Sequence, residues 1–84
     1  MTTLTVYVTE PAAPLCVRVC DYLDQRGYRY ERIAIVSDAD RQMLVDRTGY
    51  ASCPIVMAGD HVIGKLEDTI EADGSGCLAE LLAA

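Results

Sequence analysis

Apolar positions along this chain recur at two periods, and the places where one period gives way to the other mark out its elements. Leu4, Val6 and Val8 alternate with Thr5, Tyr7 and Thr9, the two-residue repeat of a strand, and Pro11 ends it because proline has no N–H to continue a ladder. Beyond Pro14 the repeat changes. Cys16, Val19, Cys20 and Leu23 stand at i, i+3, i+4 and i+7, one face of a helix, with Pro14 in its first turn and Gly27 just past its end. Residues 28–35 return to alternation and predict a second strand anchored by Tyr28, Tyr30, Ile33 and Ile35. Ser37, followed three residues later by Asp40, resembles a capping arrangement for a helix that carries Met43 and Leu44 and closes at Gly49. Residues 54–58, Pro-Ile-Val-Met-Ala, predict a short buried strand, Gly59-Asp60 a hairpin turn, and residues 61–63 the returning strand. A final helical region opens near Glu67, breaks at residues 73–76 and resumes through Leu78, Leu81 and Leu82.

The order β-α-β-α-β-β-α predicts an α/β fold with a four-stranded mixed sheet flanked by helices on both faces. Strands joined through a helix are expected to run parallel with right-handed crossovers, and the last two, joined by two residues, antiparallel. The 84 residues read as one domain, 1–84. A chain this short buries only about 60% of its unfolded surface, so a functional site belongs at the edge of the core and not in a large internal cavity. Charge narrows the choice of partners. Seven Lys and Arg against thirteen Asp and Glu leave a net charge of −6 and no basic stripe to neutralise phosphates, which argues against nucleic acid and against an anionic membrane surface. No apolar run reaches the roughly 20 residues that span a bilayer, and the first residues lack the basic region of a signal peptide. A cytoplasmic monomer is therefore expected. In that reducing compartment the four cysteines are expected to be free, catalytic or metal-binding, and not a disulfide framework.

With the elements in that order, specific residues resemble the glutaredoxin family of the thioredoxin fold, over nearly the whole chain from Leu4 to Leu82. In that family the first strand leads to Cys-x-x-Cys opening the first helix. The matching stretch here is Pro11-Ala12-Ala13-Pro14-Leu15-Cys16, so the second cysteine matches Cys16 and the first, nucleophilic one matches Ala13. The cis-proline loop, usually Thr-Val-Pro, matches Ser52-Cys53-Pro54, and the Gly-Gly-aromatic-Asp-Asp segment matches Gly64-Lys65-Leu66-Glu67-Asp68. The stretch 49–59 is closest in character to NrdH-type redoxins, glutaredoxin-like proteins that are reduced by thioredoxin reductase and supply electrons to ribonucleotide reductase.

A dithiol redoxin places its first cysteine just before a helix N-terminus, where unpaired N–H groups and the helix dipole stabilise a thiolate. That thiolate attacks a disulfide, and a second cysteine one turn later resolves the mixed disulfide. Ala13 can do neither, so the ordinary dithiol cycle is closed in this chain, whether by natural loss or by replacement of a native cysteine. Cys16 is the surviving candidate thiol, with a small buried hydrophobe as its plainer role. Cys20 reads as core and Cys77 as structural. Cys53 is unusual: the resemblance implies that the residue before the cis-proline faces the first-cysteine position, where a thiol could bond with a substrate, pair with Cys16 or join a metal site with Cys16 and Cys20, and its plainer role is to fill an apolar patch.

The resemblance implies that Pro14, Leu15, Cys53 and Pro54 meet the substrate, Pro54 through a cis peptide bond. It further implies that Gly64, Glu67 and Asp68 line the place where the γ-glutamyl end of glutathione is held, although on the residues alone the last three equally describe an acidic helix start. No resident cofactor or metal is expected. Glutathione itself is disfavoured by Glu10, which replaces a basic residue, and by Leu15, which replaces an aromatic one; Lys65 offers a compensating charge. The implied activity is thiol–disulfide exchange on a protein disulfide such as that of ribonucleotide reductase, with thioredoxin reductase or glutathione as reductant. The alternative is a non-catalytic module that holds a peptide or thiol on the same fold.

Overall fold

The alternating segment at the start of the chain lies at the centre of the sheet. The computed structural model of the protein describes residues 2–11, 13–50 and 52–83; Ala12 and Ala51, which belong to the active-loop and cis-proline-loop matches, fall outside them. The elements are β1 (Leu4–Thr9), α1 (Pro14–Gln25), β2 (Tyr30–Ile35), α2 (Asp38–Thr48), β3 (Ile55–Ala58), β4 (His61–Gly64), α3 (Leu66–Gly74) and α4 (Cys77–Ala83). They form a four-stranded mixed sheet in the order β2-β1-β3-β4, flanked by helices, the expected thioredoxin-like arrangement. The interrupted last helix is two helices: α3 stops at Ser75, Gly76 takes a left-handed φ of 82° and α4 begins.

Both faces of β1 are covered. Leu4, Val6 and Val8 pack with Val56 and Ala58 of β3 against the α1 stripe of Cys16, Val19, Cys20 and Leu23, and against Leu78 of α4. On the opposite face Tyr7 packs with Ile35, Ile55 and Met57 against Leu44 of α2. Tyr7, which the alternation groups with two threonines, is thus core at 1% exposed. Because α2 buries only Leu44, its ends matter. The Ser37 hydroxyl accepts from the Asp40 N–H, and the Asp40 carboxylate accepts from the Ser37 and Val36 N–H groups, which lowers the Asp40 pKa.

Two expectations are corrected. Tyr28 lies outside β2, which begins at Tyr30; its N–H closes the end of α1 on the Leu23 carbonyl, and its phenol is drawn to Asp73 on α3. The second concerns direction. β1 and β2 are parallel, but β3 pairs antiparallel with β1, Leu4 opposite Ala58 and Tyr7 opposite Ile55, so the strands joined through α2 are not parallel. The parallel rule describes a crossover that carries the chain back to the starting end of the sheet. Here β3 starts instead at the end of the sheet where β1 and β2 finish. That reversal puts residues 53–54 beside the C-terminal end of β1 and the start of α1.

Candidate active site

Ala13 occupies the N-cap position of α1. Its backbone is extended (φ −69°, ψ 158°), its side chain makes no capping hydrogen bond, and Pro14 opens the helix. The Ala13 carbonyl accepts from the Cys16 and Val17 N–H groups at 2.9 and 3.2 Å, which winds the first turn tightly and sets Cys16 one turn inside. Cys16 is fully buried. An N-cap side chain with an acceptor atom satisfies one of the orphan N–H groups of a first turn; the methyl group of Ala13 satisfies none.

The loop before α1 is tied to the end of β1 by Thr9, which the alternation marks only as an ordinary strand residue. The Thr9 hydroxyl accepts from the Ala13 N–H at 3.0 Å, donates to the Pro11 carbonyl at 3.1 Å and lies 3.8 Å from Cys16 Sγ. Since its single proton is given to Pro11, the Cys16 thiol is the donor in that last contact. Thr9→Val, which keeps the shape and removes both loop bonds, is expected to cost about 1–2 kcal/mol. The change would be read as a lower urea midpoint with unchanged slope.

Cys53 and Pro54 come from the segment leading into β3, and the Cys53–Pro54 peptide bond is cis, as is Glu10–Pro11. Carrying the β1–β3 register two residues beyond its last pair, Tyr7 with Ile55, brings Cys53 level with Thr9. Cys53 is half-buried and packs against both core clusters. Burial pushes its thiol pKa up and the nearby Cys16 sulfur adds to the rise, while Arg41 from α2 opposes it.

These elements border an open cleft of about 300 Å³, lined by Leu15 and Arg18 from α1, Cys53 and Pro54, and residues 65–68 at the start of α3. The cleft gathers the predicted Leu15, Cys53, Pro54, Glu67 and Asp68, and Ala13 packs against the same core cluster as Cys53. The predicted Pro14 and Gly64 do not line the cleft; they stand next to it in sequence, Pro14 opening α1 and Gly64 ending β4. The Gly64 φ of 123° and the Asp68 carboxylate, which a Cβ there would strike, leave room for glycine alone. The Asp68 carboxylate turns back onto the Lys65 N–H at 3.0 Å and so holds the helix start. Gly64→Ala is expected to destabilise by about 2 kcal/mol and to release that bond. A urea midpoint equal to that of the parent chain would contradict it.

Arg18 is the cleft residue that sequence reading missed. A signal was present, since Arg18 follows Leu15 by three and shares its helix face. Glu10 lies elsewhere, in a separate depression with Arg32 and Ala34. His61 is an exposed residue of β4. The alternative metal site is not formed: Cys16, Cys20 and Cys53 do not make a ligand set, and among the described residues no three His, Cys, Asp or Glu side chains gather to hold an ion. No described helix is long and apolar enough to cross a membrane.

No protein-family model matches the chain, and no curated protein matches it either. Solved structures do. A buckwheat glutaredoxin crystallised with glutathione superposes with a TM-score of 0.79 at 28% identity, covering 98% of this chain and 77% of that one. A mutated buckwheat glutaredoxin gives 0.79 at 32% identity over 95% of this chain and 76% of that one. The holo form of glutaredoxin C1 from Populus tremula x tremuloides gives 0.78 at 26% identity, over 95% and 82%. With a TM-score of 0.79 and 32% identity to a glutaredoxin three-quarters of which it spans, the chain belongs to the glutaredoxin family of the thioredoxin fold.

Proposed function

We propose that this protein is a glutaredoxin-like thiol–disulfide oxidoreductase acting on protein disulfides, an electron donor of NrdH type such as would serve a ribonucleotide reductase, with its ordinary dithiol cycle closed at position 13. The observation that carries the reading is the N-cap geometry of Ala13 with Cys16 buried one turn later. That is the local architecture a Cys-x-x-Cys pair requires, with only the first sulfur missing.

The cleft supports a small anionic thiol of glutathione type as the reductant, with thioredoxin reductase as the other candidate. Arg18 and Lys65 bring two positive side chains to a groove whose negative charges are Glu67 and the Asp68 carboxylate already committed to the helix start. A relative of the same fold was crystallised with glutathione. Of the two residues that argued against such a ligand, Glu10 lies outside the groove and Leu15 lines it. A cytoplasmic monomer forms part of the same proposal. The test is to install the missing sulfur by Ala13→Cys and to assay disulfide reduction with glutathione and with thioredoxin reductase in turn. Turnover with either supports the reading, and a folded variant inactive with both refutes it.

A further inference from the structure

In the chain as it stands, two thiols share the neighbourhood of Thr9, whose hydroxyl holds the Ala13 N–H, and the Cys16 sulfur is close enough to Cys53 to raise its pKa. Cys16 is buried in the first turn of α1 with its sulfur 3.8 Å from the Thr9 hydroxyl. Cys53 is level with Thr9 when the β1–β3 register is carried two residues on, and it lines the open cleft. Both belong to the same packed cluster, where Ala13 contributes no more than a methyl group. The other two cysteines are placed differently. Cys20 shares a helix face with Cys16, but side chains at i and i+4 of a regular helix do not meet disulfide geometry without unwinding, and Cys77 is an exposed residue opening α4.

We propose that Cys53 and Cys16 are the redox couple of the Ala13 chain, Cys53 taking the substrate sulfur in the cleft and Cys16 resolving it. The proposal rests on the reading that the cleft receives thiols, and it moves the nucleophile from the helix cap to the residue before Pro54. Cys53 gives its proton to water and its sulfur attacks one sulfur of a disulfide. A Cys53–S–S bond forms, the substrate bond breaks and one thiolate leaves. Cys16, also deprotonated to water, attacks Cys53 Sγ, forms the Cys16–Cys53 disulfide and expels the second thiolate, so that two electrons have passed from the protein to the substrate. Two molecules of a monothiol such as glutathione then reduce the protein disulfide, leaving as glutathione disulfide.

Burial first, and then the charges around Cys53, set its pace. Arg18 and the Cys16 thiol on α1, Arg41 on α2, and Lys65, Glu67 and Asp68 at the start of α3 surround it. Burial outweighs the help from Arg41. The thiolate is therefore a minor form near neutral pH, and exchange at Cys53 accelerates as the pH rises past the ordinary cysteine range of about 8.5.

The experiment uses the full chain carrying Cys77→Ser, so that the exposed thiol does not compete, with glutathione disulfide as the probe and peptide mass spectrometry as the readout. The expected product is an intramolecular Cys16–Cys53 disulfide. Adding Cys16→Ser is expected to stop the reaction at one glutathione on Cys53. Adding Cys53→Val is expected to abolish both products and to lower the reduction rate of bis(2-hydroxyethyl) disulfide by about tenfold or more, with circular dichroism confirming the fold. An unmodified Cys53 in the folded Cys77→Ser chain, a Cys16–Cys20 disulfide, or an undiminished rate in Cys53→Val would each overturn the proposal. The Ala13→Cys assay separates this from the broader reading: activity there with an inert Cys53 here removes the couple and keeps the family function, whereas the reverse result keeps the couple and removes the helix-cap cycle.

Discussion

Ala13→Cys is expected to raise disulfide turnover by about 100-fold over the Ala13 chain, because it puts the attacking sulfur at the helix cap, better placed than Cys53. The new sulfur would sit at the N-cap of α1, where cysteines fall to pKa values of roughly 3.5–7.5. The lowered pKa contributes only part of the gain, because intrinsic nucleophilicity falls with basicity. The larger part comes from placement: the new sulfur is held at the cap with Cys16 one turn away, so the attacking thiol is no longer the half-buried Cys53, whose pKa burial raises. Ala13→Ser is the control. Its hydroxyl caps the same turn and is expected to stabilise the fold by about 1 kcal/mol, yet it restores no turnover. A serine variant as active as the cysteine variant would show that capping, and not sulfur, is what position 13 lacks.

Asp73→Asn is expected to cost about 3 kcal/mol at neutral pH, a large share of the roughly 4–13 kcal/mol available to a domain of this size. The Asp73 side chain is 4% exposed and its carboxylate accepts three bonds: from Tyr22 at 2.6 Å, from Tyr28, and from Arg26 Nε at 2.8 Å. These join the end of α1 and the turn before β2 to the end of α3. The two phenols, and with them Arg26, hold the Asp73 pKa below the ordinary carboxylate range, and the phenol pKa values rise in return. The sign of the pH effect follows from linkage. A group whose pKa is depressed by folding stabilises fully above its unfolded value, near 3.9, and loses that contribution as the pH falls through the folded value. Urea midpoints of the parent and Asp73→Asn chains are therefore expected to differ most above about pH 5 and to converge as the pH drops below 4. A gap that stays constant down to pH 2 would place the stabilisation elsewhere.

Much of this protein is legible without coordinates because much of it is local. The stripe of Cys16, Val19, Cys20 and Leu23 is the buried face of α1, and Ser37 with Asp40 forms the cap of α2, since both depend on partners within a turn of one another. The alanine at position 13 is legible for the same reason: its neighbours Pro14 and Cys16 spell out a helix start whose chemistry needs a thiol. Leu15 and Arg18 show the limit. Their spacing places them on one face, but only the approach of α3 makes that face the wall of a cleft.

What tertiary structure alone decided lies where distant segments converge. Tyr22, Arg26 and Tyr28 meet Asp73 from about fifty residues away, at a place in the sequence that reads as a simple break in a helix. Cys53 reaches the Cys16 side of the site because β3 runs against β1, a direction that the periodicity of neither strand encodes. Alternation and helical spacing record which side of an element is buried; they carry no information on where the chain re-enters the sheet or which way it then runs. Local chemistry thus determined the elements, their caps and the missing thiol, while the path of the chain decided which residues stand beside the gap.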